Sequence, residues 1–404
     1  MHFSGSFLKA VSLTAILLPF SICSPATELV AKRQPTCKDV VIPISVSAKT
    51  ITLAPTTTYL QAVNLVTNTV SALVELLFGT LVQRTYNIAG TYCEPANYVA
   101  SRTNTIQFLI HGATVNARYY WSGDGPIGAG FDGTSYSWID YASQQGYPTF
   151  AMDRIGSGLS THPDPILVVQ IPTQAQIAHG LITLMKSGAS PFPRAFKKVI
   201  VVGHSMGSVI TQSLSVSYPQ DAEAVILTGY SRYIVNIVAG IFTTAVLLPA
   251  DISLPSEYAD LPVGYLVPNS FSGILYLFWY DPHANGTYYD PAFASSDYGK
   301  RQCITVGEGA TAAVAAATSA MTGNVLVVTG EQDTLFCGQE ALPINGPGQC
   351  VGGSLNYLAG TGSLYPQADY SYFSVPNAGH LWQYHFAAQE GFAYVHNWLA
   401  SRGY

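Results

Sequence analysis

The run Val199-Ile200-Val201-Val202, followed at once by Gly203-His204-Ser205-Met206-Gly207, constrains this chain more than any other stretch. Four consecutive apolar residues, three of them valine, read as a buried strand, and Ser208 to Leu214 can continue as a helix. A serine caught between the two must sit on a sharp, strained turn. Glycines on both sides let neighbouring chain pass without meeting a Cβ. Such a turn lifts the Ser205 hydroxyl off the end of the strand, and the helix behind aims free N–H groups and the positive end of its dipole at the same point. An inert serine on a glycine-rich turn would share the pattern, so other segments must separate the two readings.

Three segments do so. Phe108-Leu109-Ile110-His111-Gly112-Ala113 is an apolar strand ending in His-Gly upstream of the turn, where a second N–H for an oxyanion is expected; Ala113 is the candidate donor, Thr114 the alternative, and Met206 supplies the first. Val325-Leu326-Val327-Val328-Thr329-Gly330 reads as another buried strand, and the loop after it carries Asp333, an acid able to orient an imidazole. Tyr370 to Val375 reads as a last strand, followed by a loop that presents His380, the candidate general base.

The chain order Ser205, Asp333, His380, with the His-Gly strand upstream, resembles the α/β-hydrolase fold family over residues 100 to 404. The turn Asp153-Arg154-Ile155-Gly156-Ser157-Gly158 resembles the glycine-rich turn after the fourth strand in its esterase, lipase and epoxide-hydrolase-like branch. The resemblance implies a mostly parallel, eight-stranded sheet with helices on both faces. Two features depart from it: Ser208 stands where many relatives carry a second glycine, and the segment before residue 100 has no obvious counterpart.

The chemistry also follows from the residue types. A serine hydroxyl becomes a nucleophile when a neutral imidazole takes its proton, and the same imidazole returns that proton to the leaving group. Asp333 would fix the tautomer of His380, and the N–H groups of Met206 and Ala113 would hold the oxyanion. A serine at position 205 excludes the aspartate nucleophile of dehalogenases and epoxide hydrolases. His111 and His204 are expected to shape the site by packing, while His385 is a rival for the base. No metal-ligand spacing is present, and Gly156 and Gly158 lack the rest of a nucleotide fingerprint, so neither metal nor cofactor is expected.

Residues 1–23 have the form of a secretory signal peptide: a basic residue at Lys9, an apolar core too short to span a membrane, then small residues. Lys32-Arg33 resembles the dibasic propeptide cuts of secreted fungal proteins, which would make 24–33 a propeptide. With 10% charged residues and a net charge of −6, nucleic acid is an unsuitable partner. Without the leader, Cys37, Cys93, Cys303, Cys337 and Cys350 remain, an odd set whose connectivity the sequence leaves open. The expected pairs are Cys37 with Cys93, tying the N-terminal extension to the sheet, and Cys337 with Cys350, stapling the loop after Asp333. Asn285-Gly286-Thr287 is a glycosylation sequon expected at the surface.

Residues 34–230 and 324–404 are then two parts of one core, separated by a lid insertion over 231–323, longer than an ordinary crossover needs. Its runs Tyr233 to Phe242 and Ile274 to Tyr280 are apolar and aromatic, and Phe278 and Trp279 are the candidate substrate-binding residues. Ala310 to Ala320 and Tyr59 to Leu81 read as helices, Val40 to Val46 as an edge strand and Thr85 to Cys93 as the second strand. The leading expectation is a secreted serine hydrolase acting on a small hydrophobic ester. The alternatives are a tailoring enzyme that makes or breaks carbon–carbon bonds, and a non-catalytic secreted binding protein on the same scaffold. Substrate identity and oligomeric state are not encoded in any motif.

Overall fold

Eight strands form the central sheet in the spatial order β1 (Thr36–Thr50), β2 (Thr80–Glu94), β4 (Thr149–Met152), β3 (Thr105–Ile110), β5 (Lys198–His204), β6 (Ala224–Thr228), β10 (Asn324–Gly330) and β11 (Asp369–Val375). Strand β2 runs antiparallel to both neighbours, and every other pair is parallel. This computed structural model describes residues 33–52, 79–233, 241, 244–281, 286–312, 317–337, 350–351 and 356–404.

Burial explains the sequence of each strand. Every residue of β3, β4 and β6 is buried, as central strands require, and these strands are written mostly in apolar residues, with Gln107 and the threonines at strand ends as the exceptions. At the edge, β1 alternates: Ile42, Ile44, Val46 and Ala48 point inward while the residues between them face out. That alternation continues beyond the expected Val40 to Val46, so the strand is longer than its apolar centre. Its register places Cys37 opposite Cys93, and a disulfide joins them. A second disulfide links Cys337 to Cys350, and Cys303 is free and buried.

Between β6 and β10 lies a small antiparallel sheet of β7 (Leu247–Pro249), β8 (Tyr265–Pro268) and β9 (Ile304–Thr305), with helices Phe271–Phe278, Pro291–Gly299 and Val306–Thr311. Of the expected helix from Ala310 to Ala320, Ala310 and Thr311 are helical and residues 313–316 lie outside the described residues. The helix begins at Val306 because Thr305 and Glu308 form a reciprocal capping box, and residues 317–320 are not helical. Of the expected helix from Tyr59 to Leu81, residues 59–78 lie outside the described residues, whereas Thr80 and Leu81 belong to β2. The leader, most of Tyr233 to Phe242 and Asn285 of the sequon also lie outside the described residues. The carboxyl ends of β3, β5, β6, β10 and β11 converge on one side of the sheet, which is where an open α/β sheet forms its crevice.

Candidate active site

Strand β5 ends at His204, and Ser205 follows with φ 53° and ψ −115° as the N-cap of helix Met206–Ser217. Positive φ at a non-glycine residue costs roughly 1–3 kcal/mol, so the surroundings must hold it in place. They do so through the Ser205 N–H, which donates to the Thr228 carbonyl at 2.9 Å, and through Ser208 and Val209, whose N–H groups donate to the Ser205 carbonyl. The two glycines of the turn are required by space. A Cβ on Gly207 would collide with the Ile110 carbonyl, and one on Gly203 would lie 2.5 Å from the Gly207 carbonyl oxygen. Ser208, where relatives often carry glycine, braces the turn as well, since its hydroxyl donates to the Thr228 carbonyl at 2.8 Å.

Past the end of β10, Asp333 is fully buried and its Oδ2 lies 2.9 Å from Nδ1 of His380, itself 1% exposed. The Thr329 hydroxyl donates to the same oxygen at 2.6 Å, and the N–H groups of Leu335 and Phe336 donate to Oδ1 at 2.9 Å each. Burial alone would raise the Asp333 carboxyl. The charge and hydrogen bond of His380, followed by the donors from Thr329 and Phe336, outweigh burial and bring it below the ordinary carboxylate value. Nε2 of His380 is buried and has no hydrogen-bond partner among the described residues, Ser205 included. The three residues thus divide into a bonded acid–imidazole pair and a separately anchored serine.

The loop after β3 packs directly on the elbow: a Cβ on Gly112 would lie 2.9 Å from the His204 ring and 3.1 Å from Cβ of Ser205. No hydrogen bond among the described residues uses the N–H of Ala113 or of Met206. Thr114, the alternative donor, adopts φ 64°, and its carbonyl accepts the Gln302 N–H at 2.7 Å. His111 is buried, and its Nε2 accepts the Arg154 N–H at 3.1 Å, so its Nδ1 carries the proton and donates to the Gly112 carbonyl at 2.8 Å. Burial, reinforced by the charge of Arg154, keeps this imidazole neutral.

The other two nearby histidines are held by different contacts, and Nε2 of His204, like that of His380, has no hydrogen-bond partner among the described residues. His204 has Nδ1 3.0 Å from the Thr228 hydroxyl, and its ring stacks on Tyr120. His385 accepts the Gly379 N–H at Nε2 and donates from Nδ1 to the Leu381 carbonyl, which leaves no nitrogen to act as a base; burial lowers its pKa to about 4. The candidate substrate residues part company. Phe278 lies 5.4 Å from the His380 ring, whereas Trp279 is fully buried among Tyr289, Phe293, Tyr384 and His385. Phe336, which no motif singles out, stacks on His380 at 5.5 Å. It follows Asp333 by three residues, a proximity visible in the sequence without any hint of its direction. Arg154 and Glu308, 154 residues apart, form a buried ion pair that no local signal predicts, although the Thr305 to Glu308 capping box is legible in the sequence. Among the described residues no group of His, Cys, Asp and Glu has the arrangement of a metal site.

Strand order, the antiparallel second strand and the serine at the end of the fifth define an α/β-hydrolase fold. Residues 135–237, which include the elbow, match the family model described as Hydrolase_4, serine aminopeptidase (family S33). The chain thus has the fold of the α/β hydrolases, and the stretch that carries its elbow is similar to that hydrolase family. Similar solved structures include a meta-cleavage product hydrolase from Pseudomonas fluorescens, at 14% identity, with 78% of this chain and 95% of that one covered and a TM-score of 0.47. Another is a thermophilic esterase from Thermogutta terrifontis, at 13% identity, with coverage of 78% and 94% and a TM-score of 0.43. No curated protein sequence matched the chain.

Proposed function

We propose that the protein is a secreted serine esterase that cleaves a hydrophobic carboxylic ester through Ser205, His380 and Asp333 and an acyl-enzyme. The supporting observation is the pairing of Nδ1 of His380 with a buried, four-times hydrogen-bonded Asp333 carboxylate. The pairing sets the tautomer, leaving Nε2 without a proton and able to take one. Ser205 attacks the ester carbonyl as its proton passes to Nε2. The carbonyl oxygen, now negative, is held by the N–H groups of Met206 and Ala113, each such donor contributing about 2.7–4 kcal/mol to a transition state of this kind. His380 then protonates the departing alkoxide, the Asp333 carboxylate stabilises the imidazolium meanwhile, and water repeats the sequence on the acyl-enzyme.

Phe278 and Phe336 flank the His380 ring and give this end of the site an apolar wall suited to a greasy acyl or alcohol group. Residues 231–323, which contribute Phe278, act as the lid. The two disulfides and the leader-like residues 1–23 support export. No helix among the described residues is long and apolar enough to cross a membrane.

A fluorophosphonate probe tests the reading. It labels the wild-type enzyme at Ser205 and leaves Ser205→Ala unlabelled, and wild type hydrolyses p-nitrophenyl esters of moderate chain length. Labelling at another serine, or no turnover of any ester, rejects it.

A further inference from the structure

The Gly112 carbonyl accepts two hydrogen bonds, from Nδ1 of His111 at 2.8 Å and from Nη2 of Arg154 at 3.2 Å. A trans peptide directs its carbonyl and its N–H to opposite sides. Two donors on the Gly112 oxygen therefore fix the direction of the Ala113 N–H, which leaves from the same peptide plane and has no partner among the described residues. Gly112 itself packs against Ser205, so that N–H lies beside the elbow.

Arg154 is fully buried, and its guanidinium is anchored from behind by the carboxylate of Glu308. Glu308 is in turn fixed by Nε2 of Gln174 at 2.7 Å and by the Thr305 N–H at 2.9 Å. Glu308 belongs to the insertion between β6 and β10, and the same insertion grips the loop a second time through the Gln302 N–H on the Thr114 carbonyl. A buried ion pair is seldom a net source of stability, because desolvation offsets its Coulomb attraction. The geometry here points to a role beyond stability. We propose that Arg154, held by Glu308, is a positioning residue that orients the Gly112–Ala113 peptide so that the Ala113 N–H faces the oxyanion formed at Ser205, making the insertion a structural part of the oxyanion hole. The inference rests on the serine-esterase reading above.

Two variants test it with p-nitrophenyl butyrate as substrate and a trifluoromethyl ketone as a probe that forms a tetrahedral adduct. Arg154→Met/Glu308→Gln removes both charges, so no lone charge stays buried. Arg154→Lys keeps the charge balance and removes the planar fork that reaches Glu308 and the Gly112 carbonyl together. The expected result is a folded protein in which kcat falls by about 10²-fold or more, as when an oxyanion donor is lost, while KM stays within about threefold. The inhibition constant of the ketone should rise by a similar factor. Wild-type kcat in either folded variant overturns the inference. So does a loss carried by KM and melting temperature with ketone affinity unchanged, which would make the pair purely structural. A wild-type enzyme that turns over no ester and binds no ketone rejects the esterase reading instead, before any variant is compared.

Discussion

Nδ1 of His380 lies 2.9 Å from Oδ2 of Asp333, with both side chains almost completely withdrawn from water. A carboxylate in that position is charged because four hydrogen bonds, the imidazole's among them, hold it so, and its absence should be felt in both rate and pH response. Asp333→Asn preserves shape but can donate to Nδ1, which reverses the tautomer; kcat should fall by about 10⁴-fold with the protein still folded. Because the folded pKa of Asp333 is lowered, the unfolded chain binds more protons just below the ordinary value of 3.8. This contribution to stability is complete above that value and is lost as pH falls through the lower folded pKa. Urea unfolding of wild type and Asp333→Asn between pH 5 and 2 should show this component in wild type alone. Equal slopes would show that the carboxylate is not held charged.

At Ser205 the backbone angle separates two inactive variants. With φ at 53°, alanine inherits the strain and glycine does not. The relief, roughly 1–3 kcal/mol, exceeds the roughly 0.5–1 kcal/mol that glycine's extra unfolded-state freedom costs. Ser205→Gly should therefore melt above Ser205→Ala, though neither reacts with a fluorophosphonate. A lower melting point for the glycine variant would show that the elbow stores no strain.

Asp297 gives a pH response of the opposite sign. Burial, assisted by the neighbouring Asp124, pushes its carboxyl up to about 8 from an ordinary 3.8. Between those values the folded state binds a proton that the unfolded state has released, so stability falls as pH rises from 4 to 8 and this contribution levels off above. Asp297→Asn should remove that slope and gain most over wild type at pH 8. Denaturant midpoints taken across this interval provide the check, and parallel curves would contradict a protonated Asp297.

Cysteine accessibility can be counted. Burial raises the Cys303 thiol to about 12, and the other four cysteines of residues 34–404 are bridged. Native protein should take up no iodoacetamide at neutral pH. Unfolded, unreduced protein should take up one equivalent within residues 34–404, and peptide mapping should place it on Cys303. Alkylation of Cys337 or Cys350 in that experiment would break the proposed staple next to Asp333.

The neighbouring aromatics Phe278 and Trp279 should respond differently. Phe278→Ala opens space beside His380 and should shift ester selectivity toward bulkier acyl groups, while a small activated ester still reacts. Trp279→Ala leaves a cavity among Tyr289, Phe293, Tyr384 and His385 and should cost about 3–5 kcal/mol of stability. A panel of p-nitrophenyl esters run beside thermal melts distinguishes them, and identical behaviour of the two variants would mean that Phe278 too is only packing.

Much of this molecule is written locally. The central strands are legible because parallel strands buried on both faces become unbroken apolar runs, and the elbow is legible because Gly203 and Gly207 stand where no Cβ fits. The positions of Ser205 and Asp333 follow from the same logic, each lying just past the end of such a run, whereas His380 lies in the loop after the half-exposed edge strand β11. Tertiary structure decided what depends on direction and on distant partners. Adjacent residues on a helix end point different ways, so Phe278 reaches His380 and Trp279 does not. Arg154 meets Glu308 across 154 residues because the segment between β6 and β10 folds back against the turn after β4, and periodicity and spacing, which report only on neighbours along the chain, carry no trace of that contact.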